Sequence, residues 1–152
     1  MSNGHVSLER LYLKDASFES PRSPGVFTET WKPEMQLDIN SRANGVGENL
    51  FEVVLTVTLR AKLENGKTAF IIEIQQAGVF RIEGVDDQTR QRVLGTVCPN
   101  TLFPYVRETI DSLSVRGGFP AVHLAPVNFD ALFAQALAQQ EGAQDPQGGV
   151  TH

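Results

Sequence analysis

Between Phe51 and Leu63 the chain alternates almost without a break. Phe51, Val53, Leu55, Val57, Leu59, Ala61 and Leu63 fall on one side; Glu52, Thr56, Thr58, Arg60 and Lys62 fall on the other. A period of two predicts a half-buried β-strand. Glu64-Asn65-Gly66-Lys67 follows, and Asn-Gly tolerates the positive φ that a tight hairpin turn needs. The return strand is expected from Thr68 to about Ile82. It turns Phe70, Ile72, Ile74, Phe80 and Ile82 to the core and Ile71, Glu73 and Gln75 the other way. Gly78 within it marks a bulge or a close backbone approach. Upstream, Met35, Leu37 and Ile39 alternate with Gln36, Asp38 and Asn40, which predicts a further strand. Ser41 to Asn49 reads as a polar, glycine-containing connection. From Val6 to Glu19 the alternation is imperfect, because Leu11, Tyr12 and Leu13 are all apolar. Period two places Val6, Leu8, Tyr12, Ala16 and Phe18 on one face and Glu9, Asp15, Ser17 and Glu19 on the other.

After Ile82 the period lengthens. Asp86 and Asp87 open a short helix, where negative charge meets the positive end of the helix dipole. Gly95 and Pro99 are expected to close it. Thr101 is the expected N-cap of the next helix, with Pro104 in its first turn, where a missing N–H costs nothing. Phe103, Val106, Ile110 and Leu113 form its apolar stripe, and Gly117-Gly118 ends it. Asn128 caps a last helix that buries Phe129, Leu132, Phe133, Ala136 and Leu137. Strands followed by helices predict an α+β fold: a four-stranded antiparallel sheet with helices packed on one face. The expected organisation is a single domain over residues 1–140 and a disordered, polar tail over 141–152.

Composition narrows the function classes. The 152 residues suit one domain. A formal net charge of -5 argues against nucleic acid, which requires a basic footprint, and suits a basic protein partner. No apolar run approaches the ~20 residues of a membrane span, and the N-terminus has no apolar leader pattern. With Cys98 the lone cysteine, no internal disulfide forms, and a reducing, cytoplasmic setting is expected.

Candidate chemistry is sparse. Cys98 with His123 as its base matches no cysteine-hydrolase spacing. Beside Pro99, Cys98 reads as a structural thiol. His5, His123 and His152 have no metal-ligand spacing, and no glycine-rich loop follows a strand and opens a helix as phosphate loops do. No cofactor is expected. Asp15 and Glu19 share a strand face, as do Ile71 and Glu73, either as ordinary solvated surface or as a docking patch. Phe27 and Trp31, in the loop between Ser20 and Pro33, either close over the sheet as core or line an apolar groove.

The segments YLKDASFE (12–19), FEVVLTVT (51–58), KTAFIIEIQQAGVF (67–80), CPNTLFPYVRETI (98–110) and FPAVHLAPVNFDALF (119–133) together resemble the SecB family of bacterial protein-export chaperones. The resemblance covers nearly the whole chain from about Leu11 to Phe133. It implies a non-enzymatic, ATP-independent holdase that binds unfolded precursor proteins and delivers them to the SecA translocase. It also implies a homotetramer, a dimer of dimers, with no stable membrane insertion. The family's SecA-contacting positions fall on Asp15, Glu19, Ile71 and Glu73. Its client groove falls on Phe27, Trp31, Met35, Leu37 and Ile39, with Leu102, Phe103 and Val106 on the long helix. Any zinc would belong to SecA. The family tail is often acidic, whereas this one carries only Glu141 and Asp145. Chaperones of this kind dedicated to one client, such as an antitoxin, are the alternative.

Overall fold

Backbone pairing organises the first half of the chain. The computed structural model describes residues 4–144. Strands β1 (His5–Glu19), β2 (Glu34–Gly47), β3 (Leu50–Lys62) and β4 (Thr68–Glu83) form a four-stranded sheet in the order β1-β4-β3-β2, and every neighbouring pair is antiparallel. Between β1 and β2 a 3₁₀ turn spans Gly25–Thr28. Helices α1 (Asp87–Gly95), α2 (Val97–Arg116) and α3 (Phe129–Gln144) follow. The α+β architecture read from the sequence is the one observed.

Alternation in β3 and β4 holds as expected. Val53, Leu55, Val57 and Leu59 of β3, with Phe70, Ile72, Ile74, Phe80 and Ile82 of β4, meet Cys98, Leu102, Phe103, Val106 and Ile110 of α2 in one buried cluster. Gly78 marks a close approach: a Cβ there would lie 3.1 Å from Leu8 and 3.2 Å from Leu102. Its bare backbone lets α2 settle onto β4. The hairpin turn forms where expected. Gly66 takes φ +80°, and the Leu63 N–H donates to the Lys67 carbonyl at 3.0 Å.

Strand β1 corrects the simple alternation. Its pairing with β4 shifts register between Leu8 and Arg10 and again between Leu13 and Asp15. Each shift inserts one unpaired residue and exchanges the faces beyond it. Leu11 and Leu13 therefore join Val6, Leu8, Ala16 and Phe18 on the helix-covered face. Tyr12, opposite Ala77, turns to the open face with Asp15, Ser17 and Glu19. The apolar run Leu11-Tyr12-Leu13 is a strand crossing between two bulges. At the second bulge, buried Gln76 donates its side-chain amide to the Tyr12 carbonyl at 3.0 Å.

Other boundaries also move. Strand β2 runs on to Gly47, because Ser41, Ala43 and Gly45 pair with Leu55, Val53 and Phe51. Ladder pairing overrides the low strand preference of that polar segment. Only Glu48 and Asn49, the latter at φ 60°, remain as turn. Helix α2 starts at Val97, with Thr96 alone between it and the end of α1. Thr101 is thus no cap; its hydroxyl donates back to the Val97 carbonyl at 2.8 Å. Pro99 occupies the first turn, and Pro104 lies within the helix. Asp86 and Asn128 cap as expected, accepting from Thr89 N at 2.7 Å and Ala131 N at 3.0 Å. Helix α3 continues through Gln144, and the rest of the expected tail, residues 145–152, lies outside the described residues.

Candidate functional site

The two faces of the sheet carry different chemistry. On the open face, β1 and β4 align Asp15 with Gln75, Ser17 with Glu73, and Glu19 with Ile71. Directly opposed residues on neighbouring strands hold their Cβ atoms about 5 Å apart, so Asp15, Glu19, Ile71 and Glu73 form one patch. Asp15 and Glu19 are exposed and Ile71 and Glu73 half-buried. Next across the sheet, Arg60 stands opposite Ile71 and reaches Asp38 at 3.8 Å. Three carboxylates around one isoleucine make an acidic patch with an apolar centre. Such a patch is complementary in charge and polarity to a basic segment that carries an apolar side chain.

A second cluster on the open face braces this patch. The Tyr12 hydroxyl donates to Glu52 Oε2 at 2.5 Å, and Lys14 Nζ donates to the same oxygen at 2.7 Å. These contacts tie β1 to β3 across the top of β4. The Lys14 ammonium, then the Tyr12 hydroxyl, hold the Glu52 carboxyl below its usual range. Burial and the facing carboxylate push the Tyr12 phenol up to about 12. Sequence alternation, which placed Tyr12 on the opposite face, gave no sign of this triad.

On the helix-covered side, aromatic residues gather where β1, β4 and the end of α2 meet. Phe119 is the hub: its ring centroid lies 4.9 Å from Phe70, 5.2 Å from Phe27 and 5.3 Å from Trp31. Trp31 is half-buried against the core, whereas Phe27 stays 50% exposed. Trp31 closes over the core, and Phe27 leaves an apolar rim beside it. Gly117 and Gly118 make the packing possible. A Cβ on Gly117 would strike the Phe18 ring, and Gly118 takes φ +94° with its missing Cβ 2.9 Å from the Phe27 ring. Phe119 was not picked out from sequence; the signal was an aromatic residue directly after the helix-ending Gly-Gly.

Met35, Leu37 and Ile39 face the same side from edge strand β2. Helix α2 lies over β4 and β3 and leaves this edge uncovered, so Met35 and Leu37 remain 37% and 38% exposed. Farther along β2 a cleft of about 740 Å³ opens between Ile39, Ala43 and Phe51 of the sheet and Leu94, Leu132 and Phe133 of the helices. Leu102, Phe103 and Val106 are not part of any such surface. They are buried in the core, because the face of α2 that carries them is pressed onto the sheet. Their spacing is the same for core and groove, and the fold assigns them to core.

Cys98 and His123 are not brought together. Cys98 is fully buried, and burial pushes its thiol up to about 12. His123 is exposed and lies against Asp111 at 3.4 Å. Asp111 lies thirteen positions along α2 from Cys98, about 20 Å at the helical rise. This pair forms no catalytic dyad.

The sheet order and helix placement define the fold of a SecB-like chaperone. They superpose on a Mycobacterium tuberculosis SecB-like chaperone, solved in complex with a ChAD peptide from an antitoxin. The TM-score is 0.67 and the sequence identity 16%, over 81% of this chain and 91% of that one. A family model described as preprotein translocase subunit SecB matches residues 2–140. The protein-export protein SecB of Hahella chejuensis is 56% identical over 138 residues, covering 91% of this chain and 86% of that protein. That of Marinomonas is 52% identical over 90% of this chain and 85% of its own, and that of Marinobacter nauticus 51% identical over 96% and 89%. The chain belongs to the SecB family of protein-export chaperones.

Proposed function

We propose that the chain is an ATP-independent holdase that binds unfolded precursor proteins on the helix-covered side of its sheet and docks SecA on the open side. The observation that carries this reading is the separation of the two chemistries across one sheet. An apolar rim and edge suit a client recognised by side-chain burial, at ~25 cal/mol per Å² and without a fixed sequence. An acidic patch on the reverse suits a basic partner, and a client then need not leave before the partner arrives. No ion pair or side-chain hydrogen bond engages Asp15, Glu19 or Glu73 among the described residues, which supports a docking role over a bracing one. The working form is a cytoplasmic homotetramer, in which several client sites engage one extended chain and their weak affinities reinforce each other. The antitoxin-dedicated alternative draws on the 16% identical neighbour, a likeness of fold alone.

Calorimetry with the basic C-terminal segment of SecA tests the docking patch. Asp15→Lys and Glu73→Lys are each expected to weaken that binding about tenfold or more and to leave affinity for an unfolded client unchanged. Unchanged SecA affinity in both variants would refute the assignment.

A further inference from the structure

The segment from Phe119 to Leu124 is fastened to α2 by a side-chain clamp. Asp111 Oδ1 accepts two consecutive backbone N–H groups, from Val122 at 3.0 Å and His123 at 2.9 Å. Its second oxygen faces His123 Nδ1 at 3.4 Å. One turn on, the buried Ser114 hydroxyl lies 3.1 Å from the Pro120 carbonyl, and the Phe119 N–H donates to the Ser114 carbonyl at 2.9 Å. His123 is held at φ 56°, in the left-handed region that few non-glycine residues occupy. Among the described residues no other acceptor takes either amide. The clamped segment begins with Phe119, the ring on which Phe27 and Trp31 rest, and carries half-buried Val122 and Leu124 against the core.

We infer that Asp111 is a positioning residue for client binding, setting through its amide clamp the place of Phe119 and hence the shape of the aromatic rim. The inference rests on the client-binding reading above. Hydrogen bonds to an ionised acceptor are the stronger kind, so one carboxylate suffices to hold the turn. The imidazole contact is exposed and contributes little. The clamp fixes a wall of the site without touching client. Rim residues then lose less freedom on binding, which is the gain from preorganisation.

The test uses the full chain with Asp111→Ala, Asp111→Asn and His123→Asn, and reduced, carboxymethylated α-lactalbumin as a permanently unfolded probe. In Asp111→Ala the Val122 and His123 amides are expected to exchange hydrogen about tenfold faster or more, while amides in the middle of α2 keep their protection. Affinity for the probe falls about tenfold, and binding to the basic SecA segment on the open face is unaffected. Asp111→Asn, whose amide oxygen still accepts, and His123→Asn, which keeps the left-handed preference, each stay within about threefold of the unsubstituted chain. Equal probe affinity in Asp111→Ala would overturn the positioning role, as would a loss in His123→Asn as large as that in Asp111→Ala. Failure of the unsubstituted chain to bind the probe would instead overturn the client reading itself.

Discussion

Glu52 shows how one side chain ties the sheet together. It accepts from both Tyr12 and Lys14, so removing it leaves two donors without their acceptor. Glu52→Ala is expected to cost about 1–2 kcal/mol in urea unfolding. The sign with pH follows from its lowered pKa. The stabilisation is present above the ordinary carboxylate range and disappears as pH falls through the depressed value. The gap between the unsubstituted chain and Glu52→Ala should therefore close in acid; a gap that persists would contradict the triad. Tyr12 acts at the other end. Its pKa rises from 10.0 to about 12, so its contribution is complete below the lower value and lost as pH rises through the upper one. Tyr12→Phe should remove that alkaline loss. Gly118 is a sharper case, because a side chain there meets both a left-handed backbone and the Phe27 ring. Gly118→Ala is expected to cost about 1–3 kcal/mol, read as a lower urea midpoint.

At the scale of elements, an apolar stripe either fills the core or stays open at an edge. Leu102 on α2 is fully buried, while Met35 and Leu37 on β2 are more than one-third exposed. Leu102→Ala is expected to cost about 2–5 kcal/mol of stability. The pair Met35→Ser and Leu37→Ser should cost far less and instead weaken client binding, seen by comparing urea midpoints with affinity for an unfolded probe. Sequence alone did not separate these cases, because periodicity reports which residues share a face and not what covers it. It worked for β3 and β4, which are central strands and pair without a shift from Leu50 to Ala61 and from Phe70 to Arg81. It failed for Tyr12, because two bulges in β1 reversed the faces locally. It stopped β2 too early, because pairing with β3 carries a polar edge strand through Ser41 to Gly47. Asp15 and Glu19 share a face because both lie beyond the second bulge of β1, and Ile71 and Glu73 share one because the irregularity at the start of β4 precedes them both.

At the scale of the whole molecule, charge and shape divide the work. A net charge of -5 and a carboxylate patch favour fast encounter with a basic partner, and such encounter slows steeply with salt. Association with the SecA segment should therefore lose about tenfold or more in rate between low and high ionic strength, measured by stopped flow, while client binding by apolar burial should hold or strengthen. The central claim is that this fold keeps unfolded chains from aggregating without chemistry of its own. Light scattering from a slow-folding precursor diluted out of denaturant, with no nucleotide present, tests it most directly. Scattering is expected to be suppressed once the chain is in molar excess over the precursor. Aggregation that proceeds unchanged under that excess would contradict it.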